Sequence, residues 1–230
     1  MLILAIDTAS IYCAVALIHH NSVIARIDER MNKGHAERLI GQITQIMTQA
    51  NITLDQVERI AVNVGPGSFT GVRVGVATAR ALALALEIPA VGVSALEALA
   101  VQVTPHKNTT SAITVVIEAG NEMFYHQDFH NDFTPLGAPK LQTIENILED
   151  LPNKTQLTGP AADIVMQHIK NHKINEKIIL EKIPCEAADI VNYAYLAANK
   201  QPQNSPRPLY LRSADAKQQT NFALPRKNNV

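Results

Sequence analysis

"VGPGSFTGVR", Val64 to Arg73, places three glycines, one proline, two hydroxyl residues and an arginine between a strand pattern and a helix pattern. Upstream, RIAVNV (Arg59 to Val64) is apolar and β-branched, the composition of a buried strand. Downstream, Gly71 to Leu86 contains no proline and is rich in Ala, Val and Leu, which predicts a helix. A strand, a glycine loop and a helix in that order are the local signature of an α/β fold. Gly65 and Gly67 around Pro66 permit positive φ and close approach, and Ser68 or Thr70 is placed to cap the helix. The free N–H groups of a helix start attract anions. Yet the loop lacks the GK[ST] ending of a P-loop, lacks GxGxxG spacing, and holds no lysine. Arg73 is its one side chain suited to a bidentate carboxylate or phosphate.

Working outward, Leu2–Ile6, Tyr12–Ile18 and Ser22–Glu29 read as three successive antiparallel strands at turn-length spacing. Apolar residues then recur at helical spacing from His35 to Ala50. After the Gly71–Leu86 helix come a strand, Ile88–Val93, and a helix, Ser94–Val103, with Ser94 and Glu97 spaced as a capping box. The polar stretch Thr104–Ser111 marks a lobe boundary. Beyond it AITVVIEA and EMFYHQDFH, joined through Gly120-Asn121, predict a hairpin. A weaker alternation follows: helix at Ile144–Asp150, strand at Gln156–Leu157, helix at Ala161–Asn171, strand at Lys177–Leu180, helix at Glu186–Lys200. PLYLR, Pro208 to Arg212, is a short docked segment. The expectation is an α/β chain of mixed sheets with helices on their faces: a first lobe at 1–104, a smaller second lobe with the last helix at 105–212, and a tail at 213–230. No repeat period is visible.

Composition narrows the function classes. Of the 230 residues 47% are hydrophobic, enough for one large core or two small ones. Twenty Lys and Arg against 21 Asp and Glu leave no field to hold a polyanion, which disfavours autonomous nucleic-acid binding. Cys13 and Cys185 form no CxxC pair and are expected as buried thiols in a reducing compartment. MLILAI has no basic leader and no later apolar run nears a membrane span, so a cytoplasmic location is expected.

The residues able to carry chemistry are few. Asp7 and Thr8 end the first strand, where an acid and a hydroxyl can hold a phosphate-bound metal through water; a strand-ending Asx-turn is the alternative. With Ser68 they are the nucleotide or phosphate candidates. His126 and His130 have HxxxH spacing in a strand pattern, which sets them about 13 Å apart, too far to share an ion. His168 and His172 end a helix in a polar stretch that reads as a solvated face. No HExxH or GxSxG occurs, and neither a catalytic residue nor a metal ligand is assigned. Gly71, Gly75, Ala79 and Ala83 sit four apart on one helix face, leaving a strip where another backbone can approach. That strip serves either the chain's own sheet or a second subunit. With Val72, Val76, Leu82 and Leu86 available for the sheet, a subunit interface is a competitive reading.

ILAIDTAS at the start, HAERL at 35 to 39, and above all GPGSFTGVRVGVATARALA resemble the bacterial TsaB family, formerly called YeaZ. The likeness is strong over about residues 1 to 100 and returns at RPLYLR. It implies the two-lobed fold of the actin, sugar kinase and Hsp70 superfamily. It further implies a non-catalytic subunit in making N6-threonylcarbamoyladenosine in tRNA, at the adenosine beside the anticodon. The implied partners are the catalytic paralogue TsaD and the ATPase TsaE, with a homodimer forming when the chain is alone and tRNA reached only through the complex. The implied interface uses the helices at His35–Ala50 and Gly71–Leu86, with His35, Leu39, Gly71, Arg73, Gly75, Ala79 and Ala83 at the contact. Where TsaD carries metal-ligand histidines this chain has Ala95 and Leu99, so a metallopeptidase is disfavoured. IEAG (Ile117 to Gly120) departs from the family's usual IDAR, so Gly120 removes an arginine. Phe69 is expected to narrow a nucleotide site, and the resemblance implies weak binding of ATP or ADP with Mg at a subunit interface, or none. The competing function is a stand-alone ATP-using, kinase-like enzyme of the same superfamily.

Overall fold

The computed structural model describes residues 1–211 except 21, 32, 105–110, 153, 172–178 and 203. Its order is β1 (Leu2–Asp7), β2 (Tyr12–His19), β3 (Ser22–Arg30), α1 (His35–Ala50), β4 (Arg59–Asn63), α2 (Phe69–Leu86), β5 (Ala90–Val93) and α3 (Ala95–Ala100). It continues through β6 (Ala112–Gly120), β7 (Met123–Phe129), β8 (Lys140–Thr143), α4 (Ile144–Asp150), β9 (Thr155–Gly159), α5 (Ala162–Asn171), β10 (Ile179–Pro184) and α6 (Ile190–Asn199). The strands form two five-stranded sheets, ordered β3-β2-β1-β4-β5 and β10-β9-β6-β7-β8. In each, three antiparallel strands are followed by two that join in parallel, so the second lobe repeats the topology of the first. The sequence carries no trace of this repeat.

Alternating side chains build five layers. One face of the first sheet, with Leu4, Ile6, Val15, Leu17, Ile60 and Val62, packs under α1 and α2. Its other face is lined by small residues, Ala5, Ala14, Ala16 and Ala61, and lets α6 come down through Ile190, Tyr193, Ala194 and Ala197. α3 joins the lobes: Leu96, Leu99 and Ala100 pack on Ile113, Val115 and Phe129 of the second sheet. α4 and α5 close that sheet's far side over Val116, Phe124 and Leu157. With both faces covered, β1 is buried along its whole length.

α6 corrects the expected domain division. Although it follows the second lobe in sequence, it covers the first lobe's sheet by packing on that sheet's alanine face. Its C-terminal end is held there by Arg59, whose Nη1 donates to the carbonyls of Ala197 (2.6 Å), Ala198 (3.3 Å) and Lys200 (3.1 Å). Lys200 also pairs with Glu97 at 2.7 Å. The Ser94 and Glu97 capping box forms as expected. Gly120, Asn121 and Glu122, all at positive φ, turn the expected hairpin. α6 begins at Ile190, capped by Asp189, four residues later than expected, and α3 ends at Ala100 rather than Val103. The second sheet's fifth strand is displaced to Ile179–Pro184, and Lys177 lies outside the described residues. Cys13 is buried as expected, whereas Cys185 is half-buried.

Candidate functional site

The loop after β4 is pressed onto the end of β1. Gly65 has φ +94°, and the Gly65–Pro66 bond is cis. Ser68 N–H donates to the Ala9 carbonyl at 2.8 Å, and Ser68 Oγ, the N-cap of α2, accepts from Gly71 N–H at 3.2 Å. The helix therefore starts at Phe69 rather than near Gly71. Side chains are excluded along this seam. A Cβ on Gly67 would fall on the Ala9 carbonyl, one on Gly71 on the Thr8 carbonyl, and one on Gly75 would lie 2.6 Å from Thr8 Oγ1.

Asp7, Thr8 and Ser68 lie along this seam, but their side-chain oxygens turn to different partners. Asp7 Oδ1 accepts from Ala9 N–H (2.8 Å), Ser10 N–H (3.3 Å) and Asn63 Nδ2 (2.8 Å), and Asn63 Oδ1 accepts from Gly65 N–H (2.8 Å). This is an Asx-turn extended by one asparagine. Burial pushes the Asp7 carboxyl above its usual range, against the lowering effect of its hydrogen bonds from Ser10, Ala9 and Asn63. Thr8 Oγ1 donates to the Gly71 carbonyl at 2.7 Å. The groups placed to hold a phosphate-bound metal thus tie β1, β4 and α2 together. Phe69 does not narrow this spot as expected: its ring is half-exposed and lies 3.7 Å from the Arg73 guanidinium and 5.5 Å from the Tyr210 ring. Arg73 Nε donates to Tyr210 Oη at 2.9 Å, and Leu209 N–H donates to the Val64 carbonyl at 2.8 Å. PLYLR therefore docks against the loop, as expected for its described residues.

The small-residue strip needs correction as an interface. Gly71, Gly75 and Ala79 are buried inside the chain, packed on β1 and β4, and Leu39 is fully buried on the inner face of α1. They cannot meet a second subunit, because the chain's own sheet already covers them. His35 and Ala83 are half-buried, and Arg73 is exposed but engaged with Phe69 and Tyr210. What faces outward is a different stripe: half-buried Val74, exposed Ala77 and Ala81, and Leu84 at 82% exposure. On neighbouring α1, Ile40 is 56% exposed and a Cβ at Gly41 would meet nothing. The spacing 74, 77, 81, 84 is a helical signal readable in the sequence, masked there by the more conspicuous glycines. α2 also corrects the membrane expectation: its 18 residues, with mean hydropathy 1.4, are long and apolar enough to cross a bilayer by length and composition. Its inner side is occupied by the sheet.

No group of three or more potential metal ligands occurs among the described residues. Ala95 and Leu99 are both buried, and Leu99 sits in the apolar contact between the lobes. His126 is buried and shared between Gln142 Oε1 (3.0 Å) and Asp128 Oδ1 (3.1 Å), a role its spacing to His130 gave no hint of. Of the second spaced pair, His172 lies outside the described residues.

Two lobes of repeated topology, with the first strand's acidic turn at the loop leading into a long helix, define the chain as a two-lobed α/β protein of mixed sheets with helices on their faces. The profile of a family described as "TsaD: tRNA N6-adenosine threonylcarbamoyltransferase" matches residues 22–204. The TsaB protein of Buchnera aphidicola (subsp. Schizaphis graminum), named as a tRNA threonylcarbamoyladenosine biosynthesis protein, is 30% identical over 86% of this chain and 95% of its own. The Escherichia coli protein of the same name is 37% identical over 57% of this chain and 56% of its own, so the matched region spans about half that relative's length. A Pseudomonas aeruginosa protein described as similar to peptidase YeaZ superposes with a TM-score of 0.74 at 22% identity, covering 92% of this chain and 99% of its own. This chain belongs to the TsaB (YeaZ) family.

Proposed function

We propose that this chain serves N6-threonylcarbamoyladenosine formation in tRNA as a non-catalytic subunit, pairing through the outward faces of α1 and α2 with a TsaD-type catalytic paralogue. TsaE then acts through that complex, and the chain pairs with itself when the paralogue is absent. The observation that carries this reading is the outward stripe Val74, Ala77, Ala81 and Leu84 beside Ile40, an apolar helix surface that a monomer has no use for. A stable pairing there would bury about 1,200–2,000 Å² in total. The inward use of Asp7 and Thr8 weighs against a stand-alone ATP-using enzyme, as does the absence of a lysine from the loop. Any nucleotide contact is expected to be weak in the isolated chain.

Reconstitution tests the proposal. Purified TsaD-type and TsaE-type proteins, threonylcarbamoyl-adenylate and tRNA are expected to give modified tRNA only when this chain is added. Full modification without it would sink the partner reading. Calorimetry with Mg-ATP tests the other half: micromolar binding together with turnover by the isolated chain would overturn the non-catalytic assignment.

A further inference from the structure

Beside the stripe assigned to pairing, and meeting it at Ala77, α2 carries a second outward surface of different chemistry. Its charged residues are Arg73 and Arg80, seven apart and so two turns along one flank. Both line a hollow of about 410 Å³ with Val76, Ala77 and Pro208. Arg73 is held in place there. Its guanidinium stacks 3.7 Å from the Phe69 ring and its Nε donates to Tyr210 Oη, which leaves the two Nη groups without a partner among the described residues. Arg80 is exposed and has no side-chain hydrogen bond or ion pair among the described residues. The rings beside them stay open to solvent, Phe69 at 48% and Tyr210 at 51% exposure. Neither α2 (Phe69–Leu86) nor the stretch 201–211 contains an aspartate or glutamate, and the next acid along the helix, Glu87, lies two turns beyond Arg80. The surface is therefore locally positive although the chain as a whole is not.

We infer that this surface is a contact for single-stranded RNA: Arg73 and Arg80 take backbone phosphates, and the open faces of Phe69 and Tyr210 stack bases. The chemistry favours that ligand over an acidic protein segment. Carboxylates would use the arginines alone and leave two half-exposed rings idle, whereas an unpaired nucleotide chain presents a phosphate and a flat π-face at every step. A guanidinium already stacked and oriented loses little freedom on binding two phosphate oxygens. Duplex RNA fits less well, since its bases stack on one another and offer no face to a ring. Two arginines are too few to hold RNA firmly, in keeping with the balanced charge of the whole chain, so the contact supplements that of another subunit. That the RNA is the tRNA loop beside the anticodon rests on the function proposed above; the chemistry of the surface does not.

Nuclear magnetic resonance of the full chain, titrated with an RNA hairpin that carries an unpaired loop, tests the contact at four places: the Arg73 and Arg80 Nε–H groups and the Phe69 and Tyr210 rings. All four are expected to shift. Two phosphate contacts on a single strand give a slope of log affinity against log salt of about −1.4, a loss of about sevenfold between about 50 and 200 mM salt. Arg80→Ala should weaken the hairpin and halve that slope to about −0.7. Phe69→Leu should weaken it about fivefold or more and leave the slope unchanged, a split that a purely structural ring would not produce. Unmoved arginine and ring signals overturn the inference. So does equal binding of a blunt RNA duplex, of a polyglutamate peptide or of AMP, which would make the ligand any polyanion, an acidic protein segment or a free nucleotide. Reconstituted modification that needs this chain, while the hairpin ignores the surface, overturns the RNA contact alone. A hairpin seated on the surface, with modification that proceeds without the chain, overturns the proposed function alone.

Discussion

Gly71→Ala and Gly41→Ala are the same chemical change on two helices, and the seam between β1 and α2 predicts opposite outcomes. At Gly41 a methyl meets nothing within 4 Å, so replacing a mid-helix glycine by alanine should stabilise by about 0.5–1 kcal/mol. At Gly71 the methyl would lie 2.9 Å from the Thr8 carbonyl carbon and nearer still to its oxygen, both backbone atoms that cannot turn aside. Relief requires α2 to move off β1, which breaks the buried Thr8 Oγ1 bond to the Gly71 carbonyl and the Ser68 cap. An orphaned buried group costs about 1–3 kcal/mol, a lost cap about 1 kcal/mol, and overpacking strain about 1–3 kcal/mol. Set against a propensity gain of about 1 kcal/mol, the net loss is about 2–6 kcal/mol. For a chain of this size each kcal/mol moves Tm by about 2–4 °C, so a mid-range loss of about 4 kcal/mol means a fall of about 8–16 °C. The chain contains no tryptophan, so far-ultraviolet circular dichroism under urea and heat is the suitable readout. Should Gly71→Ala be neutral or stabilising, as Gly41→Ala is expected to be, the close approach of α2 to β1 is refuted.

Four further substitutions probe other joints. Arg59→Ala frees three carbonyls at the end of α6 and should cost about 1–3 kcal/mol, with faster hydrogen exchange in the last turn of α6; unchanged exchange there would show that Arg59 does not hold it. Asp7→Asn keeps an acceptor for Ala9, Ser10 and Asn63 while removing a charge whose folded pKa lies above the 3.8 of an unburied aspartate. The folded wild-type chain binds more protons than the unfolded one between those two values, so this carboxyl costs stability as pH rises through that window. The variant should then be as stable as wild type or more so at neutral pH, with the difference vanishing below about pH 3.8. A loss above about 1 kcal/mol at pH 7 would show the ionised form to be favoured. Leu84→Arg, on a side chain 82% exposed, should change stability by less than about 0.5 kcal/mol yet abolish pairing in light scattering. Ala79→Arg, at a fully buried position, should unfold the chain; a folded Ala79→Arg monomer would mean that the strip is not internal.

How much of this could be read in the sequence depends on how far apart the deciding residues lie. Ser94 and Glu97, three apart, announce their own capping box, and Gly120-Asn121 announces its turn. The strand and helix order of the first lobe follows from local periodicity. β8 escaped because KLQT is four residues with a single large apolar side chain. The glycines at 71 and 75 announce a close approach but do not name the partner; Thr8, 63 positions upstream of Gly71, does. Asp7 and Thr8 were visible as candidates, whereas the turn of their polar atoms onto Asn63 and Gly71 depends on contacts across strands. α6 was legible as a helix but not as a cover for β1, since its alanine-rich face would suit either sheet.

That return of α6 bears on how the protein is made. During synthesis from the N-terminus, the alanine face formed by Ala5, Ala14, Ala16 and Ala61 is complete 129 residues before Ile190 is made, the first residue of the helix that shields it. The first sheet must wait uncovered on the ribosome through the production of the entire second one. A gene fragment ending at residue 104 would leave it in that state permanently, a sticky half-product rather than a usable domain.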